Sequence, residues 1–106
     1  MTTFDARENA FEAEFVHQED LKFKVRERAM RLLALWAAQR LGKSAGAAET
    51  YARELVAADV ADPQTDAALD RVATDLRAMG INRQEVHQAM DRFRAEANIS
   101  VRGVRP

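Results

Sequence analysis

Two histidines are the residues in this chain with the clearest capacity for metal or acid-base chemistry. His17 and His87 lie far apart in sequence, and neither has a second ligand at the spacing of a metal site. Cysteine is absent, which excludes a disulfide framework, a thiolate metal site and a cysteine nucleophile. We therefore interpret both histidines as ordinary surface residues and expect no bound metal.

The tripeptide Gly42-Lys43-Ser44 resembles the end of a phosphate-binding loop. In such a loop a glycine is required where this chain has Ala37, and the preceding element is a strand, whereas here the pattern is helical. We therefore interpret the tripeptide as a link between two helices, in which Gly42 ends one helix and Ser44 caps the next.

Three acidic residues, Asp62, Asp66 and Asp70, share one predicted helix face and suggest a cation site or a pair of catalytic carboxylates. They lie at a predicted helix N-terminus, where acidic side chains interact favourably with the helix dipole, and this explains them without a ligand. The sequence thus contains no convincing set of catalytic residues. We expect a protein that is not an enzyme and carries no cofactor.

Charged residues fall into blocks although the net charge is only -1. Residues 1–20 hold six acidic side chains against one basic side chain, and residues 21–44 hold seven basic side chains against one acidic side chain. The first five bases of the second block are Lys22, Lys24, Arg26, Arg28 and Arg31. Because they flank an apolar stripe on both sides, we interpret them as a solvated or partner-facing edge and not as a nucleic-acid surface.

Composition predicts one all-α domain. The chain has 106 residues, of which 47% are hydrophobic, and glycine and proline together contribute only six. No basic segment followed by an apolar segment opens the sequence, and the longest apolar run, at residues 32–38, is too short to cross a bilayer. We therefore expect a cytoplasmic protein with no direct membrane insertion.

The N-terminal segment combines charge with aromatic residues. Phe4, Phe11 and Phe15 fall within a stripe roughly 40° wide on an otherwise charged helix. A helix with so little apolar area is marginally stable alone in water. Two interpretations remain open: the stripe is held open for a groove on a partner, or it folds back on Phe23 and Met30 of the next helix.

A central helix is predicted from about residue 20 to residue 41. Its apolar positions form two neighbouring stripes, so that its second half is apolar nearly all round and must be enclosed by several neighbours. The first stripe comprises Leu21, Val25, Ala29, Leu32, Leu33 and Trp36, and the second comprises Phe23, Met30, Ala34, Ala37 and Leu41.

Three shorter helices follow. They start at Ser44, at Asp62-Pro63 and at Asn82, and the last two are separated by Gly80, while Asn82 and Glu85 form a capping pair. Their predicted buried faces are Tyr51, Ala52, Leu55 and Val56; Leu69, Val72, Ala73, Leu76 and Met79; and Val86, Ala89, Met90, Phe93 and Ala97. Short links between successive helices are typical of an antiparallel four-helix bundle.

The predicted organisation therefore has three parts. Residues 1–20 form an N-terminal docking arm that is helical or partly disordered, residues 21–98 form the four-helix bundle, and residues 99–106 form a flexible C-terminal tail.

Several segments closely resemble the zeta-subunit family of alphaproteobacterial ATP synthase inhibitors. These segments are TFDARE at residues 3–8, FEAEF at 11–15, LLALWAA at 32–38 followed by Leu41-Gly42, and YARELVAAD at 51–59. The resemblance runs through nearly the whole chain, and the opening motif and the tryptophan motif are fairly specific in combination.

This resemblance implies a regulatory inhibitor of ATP hydrolysis by an F-type ATP synthase. Its N-terminal arm would insert as a wedge between the alpha, beta and gamma subunits and block rotation in the hydrolytic direction, with the protein peripheral to the membrane when bound. Carried over position by position, the partner-binding residues are Phe4, Arg7, Glu8, Phe11 and Phe15. Glu14 stands where the family pattern has a basic residue, and Met30 and Ala34 stand where it has asparagine and glycine.

Two alternatives belong to other classes. A helical bundle can bind a small ligand such as a nucleotide between its helices, with the arm folded over it. The bundle can also be a homo-oligomerising protein. Binding of adenine nucleotides and the mass of the particle in solution separate these alternatives from the inhibitor.

Overall fold

A computed structural model describes the backbone of residues 3–103 and the side chains of residues 14–103. This part of the chain forms four α-helices and no strand, which confirms the all-α prediction. The helices are α1 (Thr3–Arg40), α2 (Ala45–Ala61), α3 (Ala67–Arg77) and α4 (Arg83–Arg102).

Helix α1 is the long axis of the molecule. It has 38 residues, which corresponds to about 57 Å of helix, and the particle measures 63 × 27 × 24 Å. The predicted boundary near residue 20 is not a break in the backbone. No glycine or proline lies between residues 3 and 40, and ion pairs one turn apart, Glu19 with Lys22 and Asp20 with Lys24, support the helix across this point.

Helices α2 and α4 pack against α1, and α3 closes the remaining side of the core. The buried residues of α1 are mostly alanines, and their small side chains allow the neighbouring helices to approach closely. Met30 and Ala34 are both buried. The half-buried Trp36 meets Phe93 of α4 edge to face, with ring centroids 6.4 Å apart. Phe23, which precedes the half of the helix predicted to be enclosed, is 47% exposed.

The predicted helix start at Asp62-Pro63 is also wrong. Asp62 ends α2, where its backbone N–H donates to the Ala58 carbonyl at 3.1 Å. Residues 63–66 form a turn, and α3 begins only at Ala67. The physical reason is that Arg26 of α1 donates to the Pro63 carbonyl, which holds the turn against α1.

The boundary between α3 and α4 follows the predicted capping pattern. Gly80 has a φ of +76°, and Asn82 accepts a hydrogen bond from the Glu85 N–H at 2.9 Å. All five predicted core residues of α4 are buried. Because α3 already ends at Arg77, however, Met79 lies outside the core and is 52% exposed, contrary to prediction.

Helix α4 continues further than its apolar pattern indicates. Residues 99–102 are helical, and Gly103, with a φ of +68°, caps the helix through a hydrogen bond from its N–H to the Ile99 carbonyl. The predicted tail therefore begins with a turn of helix. Residues 104–106 lie outside the described part of the chain.

Candidate docking site

The candidate docking site lies where α1 leaves the bundle. Every side chain from residue 14 to residue 20 is exposed, and burial begins only with Leu21, which is half-buried. Phe15 and Val16 are 62% and 65% exposed, respectively. An aromatic and a branched aliphatic side chain thus face solvent on a helical segment that none of the other helices covers.

Phe15 is the only member of the predicted set whose side chain the structure describes. Phe4, Arg7, Glu8 and Phe11 lie on the backbone of the same helix, but their side chains fall outside the described residues. Their joint use remains a prediction. Since α1 is continuous from Thr3 to Arg40, the segment does not fold back on its own helix in this structure.

Glu14 lies beside the exposed aromatic residue Phe15 on α1. It is exposed, and its carboxylate accepts a hydrogen bond from the Gln18 side-chain amide at 3.0 Å. This contact lies within one helix turn and involves no other element. The Glu14 carboxylate therefore contributes negative charge to the docking surface without tying the arm to the bundle.

Below the exposed segment, Arg26 fastens α1 to the bundle. Its Nε and Nη2 donate to the two carboxylate oxygens of Asp59 in α2, at 2.8 and 2.9 Å. Asp59 is the buried charged residue of the core, with 7% of its surface exposed. The hydrogen bond to this carboxylate raises the pKa of Arg26 above its ordinary value, although partial burial opposes the shift. The pair fixes the point from which α1 projects.

A cleft of about 600 Å³ opens beside this ion pair, between α1, α4 and the turn after α2. Its floor is apolar, and its rim is cationic. The floor includes Val25, Met30, Leu69 and Met90, and the rim carries Lys22, Arg94 and Arg102. An apolar group that bears a negative charge matches this lining.

A second, shallower groove lies on another side of α1 and measures about 790 Å³. Its apolar lining includes Phe23, Val56, Val60 and Val101, and Arg28 and Arg53 are among the charged residues at its edges. Phe23 and Val60 are exposed in the groove. Together with Phe15 and Val16, they concentrate exposed apolar surface at the end of the bundle from which α1 projects.

The residues that resembled a phosphate-binding loop instead join α1 to α2. Gly42 has a φ of +73°, and the Ser44 hydroxyl accepts a hydrogen bond from the Ala47 N–H at 3.3 Å, which caps α2. The Lys43 ammonium lies 5.2 Å from the centre of the Tyr51 ring. The predicted link between helices is confirmed.

The acidic triplet is divided among different elements. Asp62 ends α2, Asp66 precedes α3, and Asp70 pairs with Arg83 of α4. His17 and His87 are both exposed. Among the described residues, no group of histidine, aspartate and glutamate side chains has the arrangement of a metal site.

Most of the basic block is engaged within the chain. Arg26 pairs with Asp59, Lys22 with Glu19 and Lys24 with Asp20. The fourth contact links Arg31 to Glu49 of α2 at 2.8 Å; this hydrogen bond raises the pKa of the arginine and lowers that of the carboxyl group. These contacts agree with the interpretation of the block as an edge of the bundle.

Sequence reasoning did not identify the Arg26–Asp59 pair or the cleft beside it. One signal was present: Asp59 lies four residues after Leu55 and seven after Ala52, so a carboxylate stands on the apolar face of α2. A charged residue in such a place needs a partner. Its position in sequence does not reveal which arginine provides that partner.

Comparison with known families gives one match. A family model described as ATPase inhibitor subunit zeta matches residues 1–100 of the 106-residue chain. No curated protein and no solved structure matches the chain. In the part of the chain that the structure describes, no helix combines the length and the apolar character needed to cross a membrane.

Proposed function

Because the chain belongs to the ATPase inhibitor subunit zeta family, we propose that it inhibits ATP hydrolysis by an F-type ATP synthase through the N-terminal part of α1. One observation carries this proposal: Phe15 is largely exposed on the segment of α1 that extends beyond the bundle. A buried aromatic side chain contributes much of the binding energy of an interface. A solvent-exposed phenylalanine on a projecting helix is therefore suited to enter a groove of a partner.

In the proposed mechanism, the arm acts as a steric wedge between the alpha, beta and gamma subunits of the catalytic sector. The arm, residues 1–20, would bind through Phe4, Arg7, Glu8, Phe11 and Phe15. The bundle, residues 21–98, gives the particle its width of 27 by 24 Å. A body of this width is too wide to follow a single helix into a narrow groove. It would hold the wedge in a fixed direction.

The rigid part of this device is the junction between arm and bundle. The Arg26–Asp59 pair and the contact of Arg26 with the Pro63 carbonyl connect α1 to α2 and to the following turn. The arm continues from this junction as the same helix. Force applied to the arm by a turning rotor would therefore be transmitted to the bundle and not absorbed by a loose hinge.

The direct test measures ATP hydrolysis by the cognate catalytic sector. The wild-type chain is compared with Phe11→Ala/Phe15→Ala, which removes aromatic area from the arm, and with Met79→Ala, which removes an exposed apolar side chain just after α3, outside the arm. We expect the wild type and Met79→Ala to inhibit equally and the double variant to lose inhibition by about tenfold or more. Equal inhibition by all three chains contradicts the proposed role of the aromatic stripe.

A further inference from the structure

The face of α1 that carries Phe15 is exposed on the arm and lines the cleft where the helix joins the bundle. Phe15, Lys22 and Arg26 are separated by seven and four residues, so they lie within a sector about 40° wide around the helix. Phe15 belongs to the exposed segment, whereas Lys22 and Arg26 line the cleft. The aromatic stripe and the mouth of the cleft thus follow each other along the same face.

The two halves of this face carry opposite charge. Residues 1–16 contain four acidic side chains and one basic side chain. In the cleft, Arg26 pairs with buried Asp59, and the rim carries Lys22, Arg94 and Arg102 together with Asp66. Lys22 and Arg94 also contact Glu19 and Asp91 of their own helices, and all four of these side chains remain exposed. Arg102 is especially suited to a carboxylate, because its Nε is buried and has no hydrogen-bond partner within the described part of the chain.

An acidic segment with aromatic residues is therefore complementary to an apolar cleft with a cationic rim. The arm of the same molecule does not reach its own cleft, because α1 runs without a break from Thr3 to Arg40. The arm of a second copy reaches the cleft when the two α1 helices run antiparallel. Each copy then supplies one arm and one cleft, which is the self-complementary arrangement of a twofold interface.

We propose that this protein forms an antiparallel homodimer in which the arm of each copy occupies the cleft of the other. Phe15 of one copy lies opposite Lys22 of the other, so the twofold axis passes between Gln18 and Glu19. Such a pairing covers the exposed aromatic stripe and the apolar cleft floor in the same step, and it brings carboxylates of the arm to Arg94 and Arg102.

The dimer has a consequence that rests on the proposed function. The surface that enters the dimer is the one assigned to the ATP synthase, so a dimeric inhibitor is a latent inhibitor. Inhibition then depends on dissociation, and the fraction of active monomer falls as total protein concentration rises.

Sedimentation equilibrium of the full chain over a wide concentration range tests the dimer without ATP synthase. We expect a reversible monomer–dimer equilibrium that shifts toward monomer as salt is added, since charge complementarity contributes to it. Phe15→Ala and Arg94→Glu/Arg102→Glu should each weaken dimerisation by about tenfold or more. The matched control Arg53→Glu/Arg77→Glu makes the same charge change on exposed residues outside the cleft and should leave the equilibrium unchanged.

A charge-swapped pair of variants tests whether contact between arm and rim, and not net charge, controls dimerisation. Glu12→Lys/Glu14→Lys gives residues 1–16 of the arm three basic side chains against two acidic side chains, and Arg94→Glu/Arg102→Glu makes the cleft rim acidic. Alone, each variant should stay monomeric, because arm and rim then carry the same sign of charge. Mixed in equal amounts, they should form a heterodimer, because each arm again meets a rim of opposite charge.

Cross-linking tests the geometry. The chain has no cysteine, so one introduced thiol reports on one position. Gln18→Cys, beside the proposed twofold axis, should form an intermolecular disulfide rapidly, while His87→Cys, at the exposed start of α4, should not. A chain that stays monomeric at every concentration overturns the proposal. The proposal is also overturned if Arg94→Glu/Arg102→Glu weakens the dimer no more than the control Arg53→Glu/Arg77→Glu does. Equal cross-linking of Gln18→Cys and His87→Cys overturns it as well.

Failure of the dimer leaves the inhibitor proposal untouched, because the hydrolysis assay is performed at dilution. Conversely, a chain that dimerises as described but does not inhibit hydrolysis contradicts only the proposed function.

Discussion

Arg26 and Asp59 form a two-pronged ion pair in which the carboxylate is buried and the guanidinium remains partly open to solvent. This asymmetry decides what happens when either partner is removed. An arginine that loses its carboxylate can turn toward water, whereas a buried carboxylate that loses its arginine keeps its charge in an apolar place or becomes protonated.

We expect Arg26→Ala to lower the free energy of unfolding by about 2–4 kcal/mol and Asp59→Ala by about 1–2 kcal/mol, after discounting for the exposed guanidinium. Chemical denaturation at neutral pH measures both values. An equal loss in the two variants contradicts the asymmetry.

The surface pair Arg71–Glu54 is the matched control, with a similar separation of 2.9 Å but both side chains exposed. Glu54→Ala should change the free energy of unfolding by less than about 1 kcal/mol. If it costs as much as Arg26→Ala, burial is not what gives the Arg26–Asp59 pair its importance.

Tyr51 gives a stability prediction at alkaline pH. Burial, together with the hydrogen bond that its hydroxyl donates to Asp75 at 2.7 Å, raises the pKa of this phenol well above its usual range. A raised pKa means that the fold favours the neutral phenol. The contribution of Tyr51 to the free energy of unfolding is therefore complete below the pKa of tyrosine in the unfolded chain, about 10. It is lost progressively as the pH rises from that value through the higher pKa of the folded chain.

The chain has a single tyrosine, so the ultraviolet absorbance of tyrosinate reports on Tyr51 alone. We expect ionisation at distinctly higher pH in the native chain than in urea. Tyr51→Phe should lower the free energy of unfolding at neutral pH by about 1 kcal/mol and reduce its decline at alkaline pH. Identical titration curves in native and unfolded protein contradict the role of burial.

Much of the fold follows from short-range signals. The cap at Ser44, the left-handed Gly80, the cap at Asn82 and the buried face of α4 are local consequences of residue type and spacing. The predicted start of α3 was wrong because a contact with a distant part of the chain determines the structure there. A proline after an aspartate favours a helix start, but the carbonyl of Pro63 is held by Arg26, which is distant in sequence.

The candidate site could be predicted only in part. The apolar stripe is a property of one helix, so periodicity finds it, and Phe15 is exposed as an open stripe requires. The cleft is formed by several elements, and its lining residues lie far apart along the chain. Spacing within one helix contains no information about which side chains of other helices complete such a cleft.

Two glycines provide a stability prediction with an internal control. Gly80 has a φ of +76°, which an L side chain rarely adopts, whereas Gly46 lies in the first turn of α2, and neither has a neighbour within 4 Å of an added Cβ. Gly80→Ala should lower the free energy of unfolding by about 1 kcal/mol, and Gly46→Ala should raise it by about 0.5 kcal/mol. Thermal unfolding compares them, and shifts of the same sign contradict the backbone argument.

Glu14→Lys isolates the effect of charge on the docking surface. Glu14 is exposed, and its one side-chain contact among the described residues is the hydrogen bond from Gln18. The substitution should therefore leave the stability of the bundle unchanged. The resemblance to the family pattern places a base at this position, so we expect Glu14→Lys to inhibit ATP hydrolysis about two- to fivefold more strongly, as befits one charge at the edge of an interface.

The control for Glu14→Lys is Glu96→Lys, which makes the same charge change on an exposed position of α4. Inhibition curves should be measured with dilute inhibitor, because a basic residue in the arm also weakens the proposed homodimer and would raise the apparent potency at high concentration. If Glu14→Lys and Glu96→Lys strengthen inhibition equally, net charge and not the docking surface is responsible. If Glu14→Lys weakens inhibition, the partner's groove favours the acidic arm that this chain carries.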